Sequence, residues 1–181
     1  MKYIQIDNTL FIKNRKNFTN KLNANSVAFF NSNDIYPVSA DSTLPFEQHR
    51  DIFYLSGVDQ EESVLMLCPS ASDPKHREVL FLKKTDDHIA VWEGPKLNKE
   101  QAYETSGIKT VYWLDEMEKV IDEVANECDT IYYNHNEHYR AKIEMETREE
   151  RFNKWIENNF PKKIKERSNP ILQHFRSIKD A

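Results

Sequence analysis

Glycine is nearly missing from this chain. It occurs three times in 181 residues, as Gly57, Gly94 and Gly107, and no two of these lie close together. A dinucleotide fingerprint, a P-loop and a G-x-S-x-G nucleophile elbow all need clustered glycines, because backbone must there approach phosphate or turn sharply. None of the three can be built here. Cysteine is scarce as well: Cys68 and Cys128 cannot make a disulfide framework, and each sits among apolar neighbours. They read as reduced core thiols rather than a bridge or a reactive site. No run approaches the ~20 apolar residues that cross a bilayer. The opening Met1-Lys2-Tyr3-Ile4-Gln5-Ile6-Asp7 lacks the apolar stretch of a signal peptide, so the Asn17-Phe18-Thr19 sequon carries no meaning. A positive excess is also absent. The formal net charge of -5 at pH 7 offers no sequence-wide attraction for nucleic acid or an anionic membrane. The expectation is a soluble, cytoplasmic protein with neither partner.

What is present is the balance of a globular protein, 39% hydrophobic and 30% charged, long enough for one domain with a real core. The spacing of Phe11, Phe18 and Leu22 predicts a helix over Asn8 to Leu22, capped by Asp7 or Asn8. Strands are predicted at Ser26–Phe30, Ile52–Ser56, Val64–Cys68, Val79–Leu82, Ala90–Trp92, Thr110–Trp113 and Thr130–Tyr133. The polar stretch from Asn31 to Gln48, broken by Pro37 and Pro45, reads as a long irregular loop. A helix over Asn98–Ser106 has Asn98 as cap, Gln101 to return the bond and Gly107 to stop it. Asp115 opens another, with Glu118 completing a capping pattern and Leu114, Met117, Val120, Ile121 and Val124 as its buried stripe. Residues 139–159 read as a long amphipathic helix through Ala141, Met145, Arg148, Phe152 and Trp155. Near the end, Asn169-Pro170 opens a helix with Leu172, Phe175 and Ile178 on one side.

Strands alternate with helices over the second half, and several strands are apolar throughout, which requires helices on both faces of the sheet. The fold expected is therefore a three-layer α/β/α sandwich around a mixed sheet of roughly six strands. Short turns join the middle strands, which makes those pairs antiparallel.

Four groups of side chains invite a chemical reading. His135-Asn136-Glu137-His138 offers imidazoles and a carboxylate, but follows a strand directly and lacks the spacing of helical metal ligands, so it reads as a polar loop. Asp86-Asp87-His88 reads as a charged turn, and His49-Arg50-Asp51 as charges paired locally before a strand. Lys162-Lys163-Ile164-Lys165-Glu166-Arg167 has no interleaved aromatics and reads as a solvated connector. Trp92, beside Glu93-Gly94-Pro95, stands where strand gives way to loop, a place that often carries binding groups; spacing alone favours ordinary packing. Nothing assembles an acid, a base and an electrophile.

The block from Ser39 to Leu97 resembles the amino-terminal domain of the aminopeptidase P and prolidase family. The residues that carry the likeness are Ser39-Ala40-Asp41, Pro45, Gln48, Asp51 and Phe53-Tyr54-Leu55-Ser56-Gly57. An acidic turn and apolar strand follow, Glu61-Glu62-Ser63-Val64-Leu65-Met66-Leu67, then Val79-Leu80-Phe81-Leu82 and Trp92-Glu93-Gly94. Phe175-Arg176-Ser177-Ile178-Lys179 is similar to the Arg-x-x-Lys junction that leads into the family's catalytic domain. Arg50 and Ile52 depart from the small polar and aromatic residues usual at their positions.

The resemblance implies a creatinase-type amino-terminal domain over residues 1–168, with 169–181 as the start of a junction to a C-terminal metallopeptidase domain. It implies that the full-length protein releases the N-terminal residue preceding proline. Two divalent metal ions, commonly manganese, would act there, with no cofactor or catalytic residue in residues 1–181. It further implies substrate contact by Trp92, reaching a neighbouring subunit of a dimer or tetramer, and thus three partners: the catalytic domain, a peptide with proline second, and another copy. A dipeptide-limited prolidase is the near alternative. A non-catalytic peptide-binding or assembly module, like the peptidase-like domain of the FACT histone chaperone large subunit, is the distant one.

Overall fold

Asp7 starts the first helix, α1 (Asn8–Thr19), by accepting the Thr9 N–H on its side chain at 2.9 Å. The computed structural model describes residues 6–40, 42–86, 90–91, 94–135 and 146–178. After α1 come β1 (Ser26–Asn31), a short ribbon of β2 (Pro37–Ser39) and β3 (Ser42–Thr43), α2 (Arg50–Ser56), β4 (Ser63–Leu67) and β5 (Glu78–Leu82). Then follow α3 (Lys99–Ser106), β6 (Thr110–Trp113), α4 (Met117–Glu127), β7 (Thr130–Tyr133), α5 (Arg148–Asn159), β8 (Ile164–Arg167) and α6 (Asn169–Ser177).

The main sheet has six strands in the order β6-β5-β4-β1-β7-β8. β4 pairs antiparallel with β1 and with β5, whereas β1–β7, β7–β8 and β5–β6 are parallel. The pleat sends alternate residues to opposite faces. Val27 and Phe29, Val64 and Met66, Val79 and Phe81, and Ile131 face α4 and α5, meeting Val120, Ile121, Val124, Phe152 and Ile156. Ala28 and Phe30, Leu65 and Leu67, Leu80 and Leu82 face the other helices, meeting Phe18, Ile52, Leu55, Ala102 and Leu172. Both faces are covered, which gives the expected three layers and explains why β1, β4 and β7 are buried at every residue. Each such aliphatic or aromatic side chain contributes roughly 1.5–3 kcal/mol on burial.

Arg15 is the unexpected member of the second layer. It is fully buried, yet its Nη1 donates to Leu55 O at 2.8 Å and Ser106 O at 2.9 Å, and its Nη2 pairs with Glu78 at 3.0 Å. One guanidinium thus ties α1 to the ends of α2 and α3, whose last carbonyls lack partners within their own helices. Both helices end on a left-handed glycine, Gly57 at φ 70° and Gly107 at φ 73°. At Gly57 a Cβ would also lie 2.3 Å from the Phe11 ring, so glycine is required there for conformation and for space.

Four expectations need correction. Ile52–Ser56 is helical, within α2, and not a strand. The run Ile-Phe-Tyr-Leu has strand composition, but the His49 side chain caps it, Gly57 stops it, and Ile52 and Leu55 pack on the sheet as a helical pair. Ala90 closes a helical bond to Asp86 O at 3.0 Å, so Ala90–Val91 is not extended, and Trp92 lies outside the described residues. The long helix begins only at Arg148, after Thr147 and Glu150 form a capping box; the part of its expected stripe at Ala141 and Met145 lies outside the described residues. Finally, Ile164–Arg167 is the edge strand β8, paired in parallel with β7, where charged residues suit an exposed sheet edge. Smaller shifts separate the rest. α1 ends at Thr19, and a 3₁₀ turn at Leu114–Glu116 precedes α4. The expected loop after β1 holds the β2–β3 ribbon.

Candidate functional site

β1 and β7 are parallel neighbours, but the chain leaves them in opposite directions. From β1 it passes to α2, which covers one face of the sheet; from β7 it passes to α5, which covers the other. Chains that diverge this way leave a crevice beyond the carboxyl ends of the strands, the usual ligand position in open α/β sheets. Here that crevice is a polar cleft of about 860 Å³. Its walls are the loop after β1, the first turn of α2, Asn134 and His135 after β7, the first turn of α5, and α6.

Asp51 stands at its floor, 3% exposed. Its Oδ1 accepts Arg176 Nη1 at 2.5 Å and its Oδ2 accepts Asn134 Nδ2 at 3.1 Å. Asn153 Nδ2 in turn donates to Asn134 O at 2.6 Å. The carboxylate therefore joins α2, the end of β7, α5 and α6. Asn134 Oδ1 and Asn153 Oδ1 are buried without a hydrogen-bond partner among the described residues. Across the cleft, Asp34 accepts the Arg148 N–H at 2.6 Å and Arg151 Nη2 at 2.7 Å, which places an anion on the amino end of α5.

His49 and Glu149 face each other here, Nε2 to Oε1 4.0 Å apart. Burial pushes the Glu149 carboxyl up to about 8, and the negative charges of Asp51 and Glu150 add to that. Burial also holds His49 below its ordinary range; Asp51 pulls it back up, while Arg176 and Arg50 push it down. At neutral pH the pair is thus a protonated acid beside a neutral imidazole. The ring's Nδ1 accepts the Asp51 N–H at 3.3 Å, so its own proton sits on Nε2.

A second wall continues from the cleft through Gln48. Its Nε2 donates to Val58 O at 3.0 Å and Gln60 O at 2.8 Å, and Gln60 Oε1 accepts the Leu97 N–H at 2.7 Å. Lys96 pairs with Glu61, the two side chains 9% and 11% exposed. These contacts anchor the chain just after Trp92, where Gly94 takes a left-handed φ of 79°.

Of the residues singled out in the sequence, the structure brings Gln48, His49, Arg50, Asp51, His135 and Arg176 to the cleft. Asp51 pairs with Arg176 rather than with its neighbour Arg50. His135 packs against Tyr133 with ring centroids 5.1 Å apart. Asn136, Glu137, His138, Asp87, His88 and Trp92 lie outside the described residues. Sequence reasoning missed Asn134, Asn153 and Glu149, whose partners are distant in the chain. The signal within reach was Thr147-Arg148-Glu149-Glu150, a capping box that sets a helix start beside the cleft. Among the described residues no three His, Cys, Asp or Glu side chains come together to hold a metal ion. Among them, too, no helix is long and apolar enough to cross a membrane.

Fold and cleft together define a doubly covered α/β domain with a mixed sheet and a polar crevice at its switch point. The chain belongs to the family described as aminopeptidase P, N-terminal domain, whose model matches residues 11–132. It is 28% identical over 121 residues to the Xaa-Pro aminopeptidase of Escherichia coli, covering 67% of this chain and 27% of that protein. It is 26% identical over 151 residues to rat Xaa-Pro aminopeptidase 3, covering 82% of this chain and 29% of that one. The solved aminopeptidase P of Escherichia coli superposes with a TM-score of 0.78 at 21% identity, over 98% of this chain and 40% of that one. A Bacillus anthracis protein provisionally described as an aminopeptidase P gives 0.85 at 24% identity, over 97% and 41%. The chain thus spans less than a third of the length of these curated relatives.

Proposed function

We propose that this chain is the amino-terminal, non-catalytic domain of an Xaa-Pro aminopeptidase, and that it shapes substrate access and assembly for a catalytic domain in the same polypeptide. The observation that carries the reading is the family match over residues 11–132, in a chain whose relatives are named for that activity. In this reading residues 1–168 form the domain and α6 begins the passage to the catalytic part. The substrate is a peptide with proline second, and the two divalent metal ions, with manganese the expected pair, belong to that further domain.

Within the domain, Trp92 is proposed to contact substrate across an interface with another copy. The described chain resumes beyond it with Lys96 paired to Glu61 and the Leu97 N–H bonded to Gln60. The cleft's role is to lock α2, α5 and α6 together.

The test joins the chain to its natural continuation and assays Xaa-Pro peptides with and without manganese. Metal-dependent release of the first residue from a tripeptide is expected. Turnover of dipeptides alone would make the protein a prolidase, and intact peptides throughout would leave an assembly module as the better account.

A further inference from the structure

Cys68 and Cys128 are the chain's two cysteines, and the fold brings them together from 60 positions apart, Sγ to Sγ 3.4 Å, both buried. Cys68 follows β4 and Cys128 ends α4, immediately before β7. Neither backbone is free to drift. Cys68 N–H donates to Arg77 O at 2.9 Å, Cys68 O accepts Ala71 N–H at 3.0 Å, and Cys128 N–H donates to Ala125 O at 3.2 Å. A second tie between the same two segments lies beside them. Ser72 donates to Glu127 Oε2 from its N–H at 3.1 Å and from its hydroxyl at 2.7 Å. The reduced protein therefore holds both thiols in place without a covalent bond. A disulfide needs its sulfurs ~2.05 Å apart, and these two already touch.

We propose that Cys68 and Cys128 form a redox site, an intramolecular disulfide made by exchange with a low-molecular-weight disulfide and reopened by a dithiol. The Cys68 thiolate attacks one sulfur of the reagent and releases one small thiolate. Cys128, losing its proton to solvent, then attacks Cys68 and releases the second. Two electrons pass from the protein to the reagent, and the small thiolates take up protons according to pH. Cys68 is the attacking sulfur because the Cys128 S–H hydrogen bond draws its pKa below the ordinary thiol value, while that bond and burial push Cys128 up. With no third cysteine, the mixed disulfide has a single internal route of resolution.

The experiment equilibrates the folded chain with graded ratios of glutathione disulfide to glutathione, without denaturant. Acid quench, alkylation and intact-mass measurement follow. The expected result is joint loss of both alkylation sites with a mass lower by two hydrogens, reversed by dithiothreitol. Cys128→Ser should instead accumulate a glutathione adduct on Cys68, and the bridged chain should melt higher than the reduced one. The proposal is overturned if both thiols still alkylate after full exchange, or if the bridge forms only in urea. None of these readouts depends on peptidase activity.

Discussion

Arg176 reaches 125 positions back along the chain to Asp51, its Nη1 2.5 Å from Oδ1, while Asn134 holds the other carboxylate oxygen, Oδ2, at 3.1 Å. The pair fastens α6 across the cleft to the first turn of α2. Asp51 is nearly sealed from solvent, whereas the Arg176 side chain keeps 31% exposure, so the carboxylate depends on the guanidinium more than the reverse.

Arg176→Met should therefore destabilise the domain by about 2–3 kcal/mol, because it leaves a buried charge with only one amide donor; partial exposure of the arginine keeps the loss below that of a fully buried pair. The double variant Asp51→Asn with Arg176→Met should lose less than the sum of the two single changes. Urea melts of the four proteins measure this, and simple additivity would mean that the two groups do not interact.

Glu149 carries a pH signature. Its folded pKa of about 8 lies above the ordinary carboxylate value, so the native state binds the extra proton. Stability from this group is then fully present at low pH and falls as pH rises from the usual carboxylate range through about 8. Glu149→Gln keeps a neutral side chain at every pH. At pH 9 it should be more stable than the parent by on the order of 3 kcal/mol, with little difference near pH 4. Parallel stability–pH curves for the two proteins would contradict this.

Arg15 serves two helix ends at once. Arg15→Met preserves much of the stem's packing but strands the carbonyls of Leu55 and Ser106, and should cost about 3 kcal/mol. Hydrogen exchange should show α1, α2 and α3 loosening together. If only α1 loses protection, the guanidinium is not the common tie.

Trp92→Ala should lower activity of the joined, full-length protein while moving the melting curve of this domain by no more than about 0.5 kcal/mol. A loss near the ~3–5 kcal/mol of a truncated core aromatic would mean that the indole packs rather than binds.

Local chemistry was readable where one short stretch contains all of its own partners. Asn98 and Gln101 exchange their bonds within one turn, so the start of α3 was plain from the letters, as was its end at Gly107. The fully apolar strands already required helices on both faces. Ile52–Ser56 went the other way: a short apolar run fits strand or helix equally, and only its packing on the sheet settles which. β8 was hidden for a related reason, since the lysine, glutamate and arginine of an edge strand look like those of a connector.

The linear order of residues determined the layering, most of the strands, the helix caps and the likeness to aminopeptidase P. All of these rest on spacings of a few residues or on an ordered block of them. Tertiary structure alone decided the cleft, the seat of Arg15, the partner of Asp51 and the meeting of Cys68 with Cys128. Each of those contacts joins groups 40 to 125 positions apart, and a buried charge or thiol acquires its chemistry from what the fold places beside it.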